Sequence, residues 1–136
     1  MSNKKLIVQN NLESLLHKGV DHIMVINRNG RAESVLSRGR IPLSKERQEI
    51  FSMGFRLRHS LLQEFDDEFG PVDYSVIHRG STKLVSIPFD LYSVIMVMKN
   101  DVEHKSLINK IKEIENCCNP NTTEPEPVCV EVMTNG

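Results

Sequence analysis

Two short stretches of the chain are apolar without a break, Ile23-Met24-Val25-Ile26 and Val94-Ile95-Met96-Val97-Met98, and nothing else in it limits the fold so strongly. A strand with one face in water alternates apolar and polar residues. An unbroken apolar run of strand length belongs to a strand buried on both faces. Both stretches are therefore expected at the centre of a sheet, with cover on each side. Between them, residues 44–69 repeat apolar side chains every three or four positions, the spacing of a long amphipathic helix.

Turn and cap signals give the rest of the predicted order: helix (4–18), strands (20–27 and 31–36), helix (44–69), strands (72–79, 82–89 and 92–98), helix (102–116). The first helix carries Val8, Leu12, Leu15 and Leu16 on one stripe and stops at Gly19. Asn29-Gly30 marks a tight hairpin, Ser44 stands where an N-cap is wanted, Gly70-Pro71 ends the long helix, and Gly80-Ser81 and residues 88–91 mark two later turns. Strand 31–36 is short and polar, which suits a sheet edge. In strand 72–79, Val72, Tyr74 and Val76 alternate with Asp73, Ser75 and Arg79. Setting the two apolar strands side by side and extending each hairpin outwards predicts an α+β fold. It is a five-stranded antiparallel sheet with helices on both faces, the terminal helices on one side and the long helix on the other. The last helix brings Leu107, Ile108, Ile111 and Ile114 to one face.

The long helix has more apolar surface than one sheet face normally covers. Ile50, Gly54, Leu57, Leu61 and Phe65 form the expected core stripe, with Gly54 allowing a neighbouring backbone to approach. Phe51, Phe55, Leu62 and Phe69 form a second, surplus stripe. Asp66-Asp67-Glu68 falls at the expected C-terminal end of this helix, where the dipole disfavours acids.

A chain of 136 residues, 39% hydrophobic and 26% charged, has room for one core. That core is expected within residues 1–116, followed by a Pro- and Glu-containing tail at 117–136. Lys+Arg 17 against Asp+Glu 18 argues against a surface that attracts nucleic acid as a whole. No run reaches the roughly 20 apolar residues of a membrane span, and no signal-peptide core follows Lys4-Lys5, so a cytoplasmic location is expected. The three cysteines, Cys117, Cys118 and Cys129, lie outside the predicted core and lack the paired spacing of a zinc site. In the tail, Val128, Val130 and Val132 alternate as a brief strand would.

Chemistry-bearing patterns are sparse. His17, His22, His59, His78 and His104 show no metal-ligand spacing, and no phosphate loop, nucleophile elbow or zinc-protease run occurs. No catalytic residue, cofactor or metal is therefore assigned, and the chain is read as a binding module rather than an enzyme. The basic run Arg38, Arg40, Lys45, Arg47, Arg56 and Arg58 reads as a solvated face, without the interleaved aromatics of a nucleic-acid surface. His22, in a central strand, is expected to need a hydrogen-bond partner.

The segments Leu15-Leu16-His17-Lys18-Gly19-Val20 and Val25-Ile26-Asn27-Arg28-Asn29-Gly30 resemble the first helix, Gly-Val junction and hairpin of the roadblock family of dynein light chains and small-GTPase regulators, whose element order is also the one predicted. Leu43-Ser44, residues 61–70, Tyr74 and Leu84-Val85-Ser86-Ile87-Pro88 resemble a family of small proteins from ammonia-oxidising archaea. The roadblock resemblance implies a non-catalytic homodimer that scaffolds a complex or binds a small GTPase. Its third strands pair edge to edge and its long helices cross. Carried onto this chain, the implied interface is Phe51, Phe55, Arg58 and Leu62 on the helix with Asp73, Ser75 and Ile77 on the strand. A helix-flanked sheet of this size is also similar to profilin-like and PAS-like sensors, in which Met24, Met53, Met96 and Met98 would line a ligand pocket. An enzyme would instead require His22, Asp73 and His78 to converge.

Overall fold

The structure is a computed structural model and describes residues 11–118; the expected start of the first helix at residues 4–10 with Val8, the brief strand expected at 128–133 and Cys129 lie outside them. Residues 19–102 form one compact unit and the terminal segments another. In the first unit the strands are β1 (Val20–Asn27), β2 (Ala32–Ser37), β3 (Ser75–Arg79), β4 (Thr82–Pro88) and β5 (Tyr92–Lys99). They form one five-stranded sheet in the order β2-β1-β5-β4-β3, every neighbouring pair antiparallel. The two apolar strands are neighbours at the centre, as their composition demands. Val25 lies opposite Val94 and Met24 opposite Ile95.

Each face of this central pair is apolar. Met24, Ile26 and Ile95 point to one side, where Ala32, Val35, Phe51 and Phe55 pack against them. Ile23, Val25, Val94, Met96 and Met98 point to the other, with Val85 and Ile87 from β4, and all are buried. A β-bulge shifts the β1–β5 register between Val20 and His22. Asp21 is the extra residue there, and its carbonyl accepts from the Arg38 amide at 2.9 Å.

The β1–β2 turn is closed by the Gly30 amide on the Asn27 carbonyl (3.0 Å) and the Asn27 amide on the Arg31 carbonyl (2.9 Å). The Asn27 side-chain oxygen also accepts from the amides of Asn29 and Arg31. Only Gly30 takes a positive φ, 85°. Asn29 does not, so the turn is a type I turn with glycine in fourth place rather than one with two left-handed residues.

The helix α1 (Lys45–Gln63) starts at Ser44, whose Oγ accepts from the Arg47 amide at 3.2 Å. It ends earlier than expected. The amides of Glu64 and Phe65 bond back to Leu61 and Leu62, three residues away, tightening the last turn. A separate short helix α2 (Asp66–Phe69) follows. Asp66, Asp67 and Glu68 therefore occupy a helix's first turn, where the dipole favours acids, not a last turn.

The inward face of α1 is also the reverse of the expected one. Ile50, Leu57 and Leu61 are 68%, 57% and 69% exposed, whereas Phe51 and Phe55 rest on the sheet, their rings 5.0 Å apart edge to face. An aromatic side chain removes more apolar area from water than an aliphatic one, so Phe51 and Phe55 take the core, while Leu62, Phe65 and Phe69 stay exposed at 40%, 56% and 86%. Ser52, fully buried with its hydroxyl donating to the Gln48 carbonyl, provides the close approach assigned to Gly54. Among the described residues nothing lies within 4 Å of a Cβ at Gly54.

In the second unit, residues 11–13 are helical and the chain tightens into a 3₁₀ helix at Ser14–Lys18. Leu12, Leu15 and Leu16 are buried. The helix α3 (Lys105–Cys118) buries Leu107, Ile108, Ile111 and Ile114 and runs two residues into the segment expected as tail. Its start is capped by Glu103, whose carboxylate accepts from the amides of Lys105 and Ser106. Its bonds to Ser106 and Lys105 hold its pKa below the usual carboxylate range. No helix among the described residues is long and apolar enough to cross a membrane.

Replacing Gly30 with alanine forces a left-handed backbone on an L side chain and sets its Cβ 2.6 Å from Met53 Sδ. Since Met53 can swing away, the backbone strain dominates. Gly30→Ala is expected to cost about 1–3 kcal/mol, read as a lower urea midpoint at unchanged slope.

Candidate interaction surface

The expected interface residues separate into two groups. Phe55, Arg58, Leu62, Ser75 and Ile77 line one groove, with His59, Val72, Ser86 and Pro88 completing it. One wall is α1, and the other is the β3–β4 end of the sheet. Arg58 lies 6.0 Å from the Phe55 ring centre, at the outer limit of a cation–π contact. Phe51 sits outside this groove on the Met24–Ile26–Ile95 cluster, and Asp73 is exposed before β3 starts. Phe51 and Phe55 therefore hold α1 to its own sheet, so a charge at either would test the fold before it tested any association.

What faces outwards on α1 is the aliphatic stripe Ile50, Met53, Leu57 and Leu61, with Gly54 among them. The sequence marked Ile50, Gly54, Leu57, Leu61 and Phe65 as one stripe but placed it on the core side; Met53 was not part of it, and Phe65 too is exposed. Along this groove runs β3, an edge strand that among the described residues pairs with β4 alone. An edge strand presents a row of main-chain donors and acceptors to whatever docks beside it.

The residues set against other functions do not converge. Met24 faces α1, and Met96 and Met98 face the opposite side of the sheet. Met53 is exposed, so the four methionines line no common pocket. His22 lies on β1 beside edge strand β2, and His78 lies on the other edge strand, β3. His78 Nδ1 donates to Asn100 Oδ1 at 3.0 Å.

His22 has the partner it was expected to need. Its Nδ1 lies 2.6 Å from Ser37 Oγ. Since the Ser37 hydroxyl donates to the Gly39 carbonyl, the imidazole must be the donor, which fixes the Nδ1–H tautomer. Burial holds the His22 pKa below its usual value, partly offset by Asp21. His59 is lowered too, by burial first and then by the Arg56 charge, against an opposing contribution from Asp66. From the sequence, Arg56 and His59 read as parts of a solvated face and a scattered set. Their proximity follows from their i, i+3 spacing on α1.

No protein-family model matches the chain, and no curated protein matches it. Solved structures do. The Roadblock/LC7 domain from Streptomyces avermitilis superposes with a TM-score of 0.61 at 14% identity, covering 74% of this chain and 85% of that one. The gliding protein MglB from Thermus thermophilus gives 0.64 at 9% identity, covering 98% and 93%. An MglB with a tetrameric arrangement gives 0.62 at 11% identity, covering 92% and 89%. The five-stranded antiparallel sheet with its helices is thus the roadblock fold.

Both lowered histidines fix the sign of one pH effect. Below about pH 6.5, the ordinary histidine value, the unfolded chain takes up protons that folded His22 and His59 resist. Their stabilising contribution is complete above that pH and is lost beneath it. The denaturation midpoint is expected to fall between pH 7 and pH 5, and the double variant His22→Gln/His59→Gln to flatten that fall. An unchanged slope in the double variant would assign the effect to other groups.

Proposed function

We propose that this protein is a non-catalytic platform on which two copies associate and present a surface to a small GTPase. The observation that carries it is the stripe Ile50, Leu57 and Leu61, exposed on the outer face of α1, together with the edge position of β3 in the sheet. Monomers rarely leave such aliphatic rows in water. Gly54, with free space over it, would let a second helix cross closely there. Arg58, Leu62, Ser75 and Ile77 lie where such a partner would reach, and Asp73 stands at its rim. Phe51 and Phe55 support the surface from beneath.

Self-association finds support in the tetrameric arrangement of one MglB of the same fold. The GTPase is the partner implied by the roadblock-like segments at residues 15–20 and 25–30. The archaeal resemblance of residues 61–70 and 84–88 and a cytoplasmic location belong to the same proposal. A ligand sensor is disfavoured because Met24 and Met96 lie on opposite sides of the sheet.

Sedimentation equilibrium tests the association. The wild type is expected to be a dimer at micromolar concentration. Leu57→Asp and Leu61→Asp, both at exposed positions that leave the chain's own core alone, are expected to weaken it by about two orders of magnitude, on the order of 3 kcal/mol each. A monomeric wild type, or a dimer that survives both changes, contradicts the interface. For the partner, GTP turnover by a purified small GTPase from the same cell should change on adding the wild type and not Leu57→Asp.

A further inference from the structure

At the turn end of the sheet, three separate segments line an open polar cleft, a cavity of about 100 Å³. The β1–β2 turn contributes Arg28, α1 contributes Arg56, His59 and Gln63, and the β4–β5 turn contributes Asp90 and the aromatic wall of Phe89 and Tyr92, rings 5.4 Å apart. Ile26 forms the floor. Arg56 is oriented by one bond: its Nε donates to the Arg28 main-chain carbonyl at 2.7 Å, which leaves the two terminal nitrogens of its planar guanidinium for something else. Among the described residues neither Arg28 nor Arg56 forms an ion pair, with Asp90 or with any other acid. The two arginines outweigh the single aspartate, so the cavity has a positive excess before His59 takes up a proton.

We propose that this cavity is a binding site for a phosphate group, free or carried as a phosphate monoester, held by Arg28 and Arg56 with Gln63 and His59 as further donors. A guanidinium fork matches the paired oxygens of a phosphate and keeps its charge at any physiological pH. The volume admits a phosphate head but falls short of the roughly 300 Å³ at which small-molecule pockets begin, so a substituent would extend outwards to solvent. Burial lowers the His59 pKa first, and the Arg56 charge acts in the same direction against Asp66. A bound phosphate would oppose that lowering, acting on His59 together with Arg56, Arg28, Asp66 and Asp90. The site does not depend on the proposed association surface, which lies on the outer stripe and at the β3 edge.

Calorimetric titration of the full chain with inorganic phosphate, and separately with glycerol phosphate, tests it. Acetate serves as the planar carboxylate control, and His59 is followed by NMR across pH. Saturable phosphate binding is expected, together with a rise in the His59 pKa. Arg28→Gln and Arg56→Gln should each weaken binding at least tenfold. Arg28→Gln keeps the main-chain carbonyl that anchors Arg56, so its loss of binding cannot be attributed to a lost fold. Tighter binding of the monoester than of free phosphate would identify an esterified ligand, and the reverse order the free ion; both support the site. No binding of either, acetate binding as well as phosphate, or full binding by both variants overturns it.

Discussion

The pairing of β1 with β5 is the interaction on which the rest of this structure depends. Two strands that carry apolar side chains on both faces cannot end in water on either side. That need sends Met24, Ile26 and Ile95 beneath α1 and buries Ile23, Val25 and Met96 on the reverse face. It also decides the edges. With the centre taken, β2 and β3 are left outermost, and these are the strands whose polar or alternating composition tolerates an exposed side.

The second constraint is the competition between two apolar stripes on one helix. Phe51 and Phe55 can reach the sheet together because their edge-to-face contact makes one broad apolar wedge, and Ser52 between them is small enough to let the helix lie close. Ile50, Leu57 and Leu61 are turned outwards as a consequence. The surface proposed for association is thus the remainder of the folding problem: apolar area that the chain's own sheet has no room to cover.

Much of this was legible in the sequence. The strand order followed from unbroken apolar runs at Ile23–Ile26 and Val94–Met98 together with the hairpin signals at Gly30 and Gly80, because burial on both faces leaves few places for a strand. The orientation of α1 was not legible from spacing, since two stripes of equal period satisfy the same pattern. The size of phenylalanine against leucine was the available clue. The break after Gln63 was also hidden, for residues 64–65 carry neither proline nor glycine. The cluster of Arg28, Arg56 and His59 joins residues on different elements, and no local pattern reports such a meeting. Of the groove residues, Phe55 and Leu62 were marked by the surplus stripe and Arg58, Ser75 and Ile77 came from family resemblance; the fold brings those five together.

The most direct test of the account is amide hydrogen exchange across β3 in the full-length protein at high concentration, with β1 and β5 as internal references. Among the described residues, the amides of Ser75–Arg79 that face away from β4 have no partner strand. If two copies meet edge to edge beside the crossed α1 helices, that row exchanges slowly, approaching the protection of the central strands. If it exchanges at the rate of an open edge while β1 and β5 stay protected, β3 pairs with nothing and the edge-to-edge association is wrong.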